Sequence, residues 1–191
     1  MHARTLSTAL ALLLMSCGAD EPVAPGSGQP QDPAAPSLDR LAPSSLLGDG
    51  WHPGTMLVVT DWQQLDALDA TQRATAEMLR GPMQKQGVTG IAELSWSRKQ
   101  MPIDMLSVRV LRFADAAKLR SWRQLKYGGL RDAELKPVEG APFETYDVLA
   151  DGKHKRIVFF DEVFVSSHHV QKGDDHVAAL DAVCAQLLAG R

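Results

Sequence analysis

The chain is 191 residues long, 45% of it is hydrophobic, and its formal net charge is −3 at pH 7. Residues 51–191 carry 18 basic and 18 acidic side chains, and this length is sufficient for one domain with its own hydrophobic core. The same residues contain no internal repeat and no apolar run long enough to span a membrane. The sequence therefore predicts neither a repeat array nor a further apolar membrane-spanning helix in these residues.

The N-terminus has the features of a secretory signal. Arg4 supplies a positive charge, and residues 6–15 form an apolar run that is too short to cross a bilayer as a helix. The run ends in LLMSC, where the small Ser16 precedes Cys17. This ending resembles the lipobox of bacterial lipoprotein precursors. The resemblance covers only the N-terminal end of the chain. It implies a signal peptide over residues 1–16, cleavage before Cys17, diacylglycerol on its sulfur and acylation of the new N-terminus.

Several acyl chains on Cys17 would hold the protein stably at a membrane, because one chain alone binds only marginally. The protein is then exported and lipid-anchored in the cell envelope. Gly18 follows the cysteine, at a position where Asp resembles an inner-membrane retention mark in enterobacterial lipoproteins, so the outer membrane is slightly favoured. The alternative is an ordinary cleaved signal peptide, which would release a soluble protein.

Residues 17–50 are predicted to be a tether that begins with the lipidated cysteine. The stretch EPVAPGSGQPQDPAAPS has no aromatic residue and cannot bury enough apolar surface to offset the entropy of ordering. We therefore expect a flexible, partly extended linker here. The following LDRLAPSSLLGDG is less clear, because it could also pack as a short flap.

Residues 51–191 predict a single α+β domain. The order of elements along the chain is strand, helix, two strands, helix, about four strands and helix. This order favours a mostly antiparallel sheet with about three helices packed on one of its faces.

Three features place these elements in more detail. A capping-box spacing at Thr60 and Gln63, or one residue later, predicts the start of the first helix, and the Gly-Pro of RGPMQKQGVTG predicts its end. The strand IDMLSVRVLRF has apolar residues on both faces, so it is expected to be central and covered on both sides. The second helix, ADAAKLRSWRQLKYGG, should bury a stripe formed by Leu119, Trp122 and Leu125.

The final helix, DDHVAALDAVCAQLLAG, places Cys184 within its apolar stripe. A catalytic thiolate needs partial exposure and nearby positive charge, and the local sequence supplies no such charge. Cys184 is therefore interpreted as a small buried hydrophobe. A lipidated Cys17 leaves it without a disulfide partner in the mature chain.

Three histidines fall in the stretch FVSSHHVQKGDDH. His168 and His169 are adjacent in a predicted strand and point to opposite faces, so they are not expected to share one metal ion. If both C-terminal hairpins have two-residue turns, counting places His154 opposite His169 and Arg156 opposite Ser167. Together with a carboxylate, His154 and His169 could bind a transition metal at a sheet edge. The alternative is solvent-facing histidines, and a register slip of one residue would separate the pair.

Charge is unevenly distributed within the domain. Residues 98–131 hold nine basic and two acidic side chains. One interpretation is a surface for an anionic envelope component or an acidic protein, since nucleic acid is not an expected partner for an exported protein. The other is a solvated face that the acidic residues 132–191 neutralise. The candidate residues lie on the long strand and the second helix: Arg109, Arg112, Arg120, Arg123 and Lys126.

These observations leave three functional hypotheses. The first is a non-enzymatic, lipid-anchored envelope protein that binds a partner or small ligand or supports envelope assembly, with no cofactor. The second is a metal-binding envelope protein that uses His154 and His169. The third is an envelope hydrolase with dispersed catalytic residues. An enzyme is the less favoured class and no catalytic residue is assigned, because the sequence lacks GxSxG, HExxH, a Walker loop and CxxC.

Overall fold

A computed structural model describes residues 38–41, 47, 50–98, 104–130, 134–150, 153–169 and 175–189. The predicted signal peptide, Cys17 and most of the predicted tether lie outside these residues. The described strands are β1 His52–Val59, β2 Val88–Arg98, β3 Asp104–Phe113, β4 Leu135–Pro137, β5 Glu144–Ala150, β6 Lys153–Phe160 and β7 Val163–His169. The described helices are α1 Ala70–Lys85, α2 Ala116–Tyr127 and α3 Asp175–Leu188, and none of them is long and apolar enough to cross a membrane.

Within the described residues, seven strands form one antiparallel sheet in the order β1-β2-β3-β7-β6-β5-β4. The predicted α+β class and the predicted order of elements are confirmed. Strands that follow one another closely pair as hairpins, whereas β3 pairs with β7. The middle of the sheet therefore combines side chains from the N-terminal and C-terminal halves of the domain.

Two hydrophobic cores lie on opposite faces of the sheet. The first core contains residues of α3 such as Leu180, and the second contains Ala76 of α1 and Trp122 of α2. The prediction that the helices pack on one face is therefore wrong. The cause is visible in β3, where the adjacent Val110 and Leu111 point to opposite faces and are both buried, so each face requires its own cover.

The prediction that β3 is covered on both sides holds on the first-core face and fails on half of the other. On the second-core face, Leu111 and Phe113 are buried beneath the helices. Met105, Ser107 and Arg109 share that face but are exposed. Helices α1 and α2 cover only the C-terminal end of the strand, and this leaves the other end of the sheet face open.

Helix α1 begins later than predicted. Its N-cap is Asp69, whose side chain accepts hydrogen bonds from the backbone N–H groups of Thr71 and Gln72 at 2.9 Å. The predicted start near Thr60 is wrong. The Asp61 carboxylate accepts a hydrogen bond only from the N–H of Gln63, which forms a local turn. The Asp69 carboxylate accepts two backbone hydrogen bonds, so Asp69 is the stronger helix N-cap.

Helix α1 also ends later than predicted, because it continues through Pro82 to Lys85. Leu79 and Met83 lie on either side of the proline and pack against the second core. Their burial offsets the single hydrogen bond that the proline nitrogen is unable to donate. The helix gives way at Gly87, whose φ of 82° suits glycine and disfavours other residues.

Helix α2 confirms two of the three residues predicted for its apolar stripe. Leu119 and Trp122 are buried, but Leu125 is 74% exposed. At about 100° per residue, Leu125 lies about 60° beyond Trp122 on the side away from Leu119, so it has rotated off the buried face.

Cys184 is buried in the first core, as predicted. Burial raises the pKa of its thiol to about 12, and the nearby negative charge of Asp181 acts in the same direction. A thiol with this pKa is protonated and unreactive in the folded protein at neutral pH.

The folded part of the chain starts before the predicted boundary at Trp51. Residues Leu38–Arg40 form a 3-10 turn in which Leu38 is fully buried, and Leu41 is also buried in the first core. The start of LDRLAPSSLLGDG thus packs on the domain, which agrees with the alternative of a short flap.

Candidate ligand-binding groove

The open half of the second-core face forms a groove of about 540 Å³. Its floor consists of β2, β3, β7 and β6. Its walls are α1, which contributes Met83, the residue Gln86 that follows this helix, and α2, which contributes Trp122, Lys126 and Tyr127. The two helices pack over the apolar end of this sheet face and leave its polar end accessible.

An outer row of polar side chains crosses the floor. Ser95 is paired with Ser107, Ser107 with His168, and His168 with Lys155. These four residues lie on four adjacent strands and all line the groove. Because neighbouring strands are about 4.8 Å apart, the row spans about 14 Å. It runs from hydroxyl groups at one end to an ammonium group at the other.

An inner row lies closer to the helices. Glu93 is paired with Arg109, and Arg109 with Ser166. The Arg109 Nη2 atom lies 2.6 Å from Glu93 Oε1, so these two charges neutralise each other. The inner row therefore contributes a bound ion pair and a hydroxyl group, and no net charge.

Lys126 and Lys155 give the groove its excess of positive charge. Within the described parts of the chain, no carboxylate lies at ion-pair distance from either ammonium group. Since Glu93 and Arg109 cancel, the two lysines leave the groove positive whatever the protonation state of His168. A positive, partly enclosed surface of this kind attracts anions.

The aromatic wall of the groove is held firmly. Trp122 Nε1 donates a hydrogen bond to Gln86 Oε1 at 2.7 Å, and its ring packs on Phe164 with centroids 4.7 Å apart. Burial raises the pKa of Tyr127 to about 12, although the positive charge of Arg109 acts in the opposite direction. The phenol keeps its proton at neutral pH, so the wall offers a neutral hydroxyl beside apolar ring surface.

The structure brings two residues of the predicted anionic-partner patch into the groove. These are Arg109 and Lys126. Arg120 is exposed on α2 but does not line the groove. Residues 98–131, whose nine basic and two acidic side chains give a net charge of +7, therefore do not form one continuous surface with a single role.

The other two patch residues hold the fold together. The Arg112 guanidinium donates to the Thr60 carbonyl at 2.6 Å. Arg123 forms an ion pair with Glu144 at 2.6 Å and lies 5.1 Å from the centre of the Tyr146 ring. Burial acts to raise the pKa of Glu144, but hydrogen bonds from Tyr146 and Arg123 hold it below its ordinary value. Both arginines are thus engaged by the protein itself.

The predicted metal pair is only partly described. Arg156 lies opposite Ser167, which confirms the counted register, and a two-residue turn joins β6 to β7. His169 is buried, with Nε2 2.6 Å from Asp104 Oδ1. The side chain of His154 lies outside the described residues, so its convergence with His169 stays a prediction. Among the residues that the structure does describe, no three His, Cys, Asp or Glu side chains converge to hold a metal ion.

His169 belongs to a polar cluster on the first-core side. Arg98 lies 3.0 Å from Asp175 and 4.0 Å from Asp104, and its guanidinium sits 4.1 Å from the centre of the Trp51 ring. Trp51 also meets His169 edge-on at 5.8 Å. The side chains of Asp104 and His169 are 5% and 4% exposed, which is too enclosed for a substrate. We interpret the cluster as a structural contact that stabilises the packing of the start of α3 against the sheet.

Most of the groove floor was not predicted from the sequence. The segments SWS and SVR alternate polar and apolar residues, a pattern typical of strands with one open face, whereas SSH is polar throughout. That signal was present but it does not reveal which strands are neighbours. The missed residues are Ser95, Ser107, Ser166, His168 and Lys155.

Comparison with known proteins adds no further guide to the site. No family model, no curated protein and no solved structure matches this chain.

Proposed function

We propose that the protein is a non-enzymatic, lipid-anchored protein of the cell envelope that binds a small anionic ligand in the groove. One observation carries this proposal. Lys126 and Lys155 line the same groove, and no carboxylate in the described parts of the chain lies at ion-pair distance from either. A bound anion would supply the counter-charge that the described carboxylates do not.

The size and position of the groove support a small ligand. Its volume of about 540 Å³ falls within the range of small-molecule sites. Four hydrogen-bonded strands form its floor, so the polar groups are held on a rigid frame before any ligand arrives. The polar floor favours a ligand that is itself polar.

The location of the protein is proposed on separate grounds. The apolar run and the LLMSC ending support export and acylation at Cys17. A groove on a tethered domain would then meet ligands in the envelope, where phosphate and carboxylate groups are common on lipids and glycans.

Charge reversal within the groove tests the binding function. We would measure the affinity of the detergent-solubilised full chain for inorganic phosphate by isothermal titration calorimetry. The double variant Lys126→Glu with Lys155→Glu replaces two attractions by two repulsions. Each pair is worth about 1 kcal/mol near 4 Å even in bulk water, so we expect a loss of at least about tenfold in affinity.

Arg120→Glu is the matched control, because Arg120 is exposed on the same helix as Lys126 but does not line the groove. Its affinity for phosphate should stay within about twofold of the unmodified chain at moderate ionic strength, where distant surface charges are screened. Equal losses in both variants would show that general surface charge, and not the groove, attracts the anion.

A further inference from the structure

The two ends of the groove have different chemistry. Lys155 ends the outer row on β6, and Lys126 contributes to the wall of the groove from α2. At the other end, Ser95 and Ser107 face each other across β2 and β3. A small inorganic anion would occupy the lysine end only, and the hydroxyl end would remain unused.

The hydroxyl end is suited to hydrogen bonds with a ligand. The Ser95 hydroxyl already donates to the Thr55 carbonyl at 3.1 Å, so its remaining capacity is as an acceptor. Ser107 is exposed, and Ser166 lies opposite Arg109 on the adjacent β7, diagonal to Ser107. This end therefore presents both donors and acceptors, which is the pattern that the hydroxyl groups of a polyol satisfy.

The helical wall of the groove is partly apolar. Trp122, Met83 and Tyr127 line it, and the Tyr127 phenol retains its proton. A sugar ring combines an apolar C–H face with hydroxyl groups around its edge. Such a ring would place its C–H face on this wall while its hydroxyls reach the floor.

We propose that the ligand is an anionic sugar, that is, a monosaccharide unit carrying phosphate or carboxylate. This inference depends on the anion-binding function proposed for the groove. Lys126 and Lys155 hold the anionic group. Ser95, Ser107 and Ser166 receive the ring hydroxyls, and the outer row of about 14 Å has room for the anionic group and one sugar ring side by side.

Three probes test this proposal with the detergent-solubilised full chain: inorganic phosphate, glucose and glucose 6-phosphate. Glucose 6-phosphate should bind about tenfold more tightly than inorganic phosphate, which is the gain expected from about two additional hydrogen bonds. Glucose should bind more weakly than either, because it lacks the charge. Saturation-transfer NMR on the sugar protons would show which face of the ring contacts the protein.

Serine variants separate the two ends of the groove. The double variant Ser107→Ala with Ser166→Ala should lower the affinity for glucose 6-phosphate about tenfold and leave that for inorganic phosphate within about twofold. Ser121→Ala is the control, because Ser121 is exposed on α2 outside the groove, and it should change neither affinity.

The outcomes distinguish this proposal from the function on which it depends. If phosphate binds in a lysine-dependent way but the sugar adds nothing, or if the serine variants leave the sugar's advantage intact, the anionic-sugar assignment is overturned and the anion site stands. If neither phosphate nor glucose 6-phosphate binds, both proposals fall together.

Discussion

Replacing Leu38 by Ala should lower the free energy of unfolding, because Leu38 belongs to the first core. Its side chain is 0% exposed, and its Cδ1 atom lies 3.0 Å from the position that a Cβ would take at Gly90. Leu→Ala substitutions at such sites cost about 2–5 kcal/mol, depending on how far the surroundings relax. Leu38 lies in a short 3-10 turn that can settle into the vacated space, so we expect about 2–3 kcal/mol, the lower part of that range.

Urea denaturation followed by tryptophan fluorescence measures this loss. With a slope of about 2 kcal/mol per molar urea, the midpoint should fall by about 1–1.5 M. Leu125→Ala is the matched control, since Leu125 is 74% exposed and should change stability by less than about 0.5 kcal/mol. Equal midpoints for the two variants would refute the argument and return the start of the folded domain to Trp51.

Three further predictions concern the cysteines and the metal hypothesis. Cys17→Ala should leave an unprocessed precursor, detected as an increased mass on an immunoblot or by mass spectrometry, and normal maturation of this variant would exclude the lipoprotein assignment. Cys184 should resist alkylation at pH 8 in the native protein and react fully in denaturant. Because its folded pKa of about 12 exceeds its ordinary value of 9.0, its contribution to stability is complete below pH 9 and is lost as the pH rises towards 12. If His154 and His169 bind zinc, the purified protein should contain one metal ion per chain and its melting temperature should rise with zinc. The variant His154→Ala should abolish this rise. If the groove binds an anion and the histidines bind no metal, neither the metal content nor the rise in melting temperature is expected.

The order of the elements could be predicted because it depends on local patterns. In a strand, apolar residues alternate with polar ones or follow one another without interruption, and in a helix they recur about every 3.6 residues. Short turns join neighbouring strands. The counted register of β6 and β7 was correct for the same reason, since Phe160 and Val163 are joined through only two residues. Asp161 adopts a φ of 49° there, which shows that an aspartate served the turn without the expected glycine or asparagine.

The extent of helical cover was not predictable from the same patterns. Met105 and Leu111 share a face of β3 and are both apolar, yet one is 48% exposed and the other is buried. The difference depends on where α1 and α2 rest on the sheet, and that is decided by contacts between residues far apart in sequence. The groove exists because of this placement, and its floor joins four strands whose neighbours are known only from the assembled sheet.

The burial of Leu38 has a consequence for encounters at a membrane. Only 20 residues separate Leu38 from Cys17. If the chain is anchored at Cys17 as proposed, a flexible linker of that length, as expected from its composition, would have a root-mean-square length of about 25 Å and a maximum reach of about 70 Å. Short flexible tethers give effective concentrations in about the millimolar range for ligands on the same surface. A tether extending to residue 50 would make that concentration about twofold lower. In a protein anchored as proposed, one leucine packed into the domain would favour capture of ligands carried by the anchoring membrane itself.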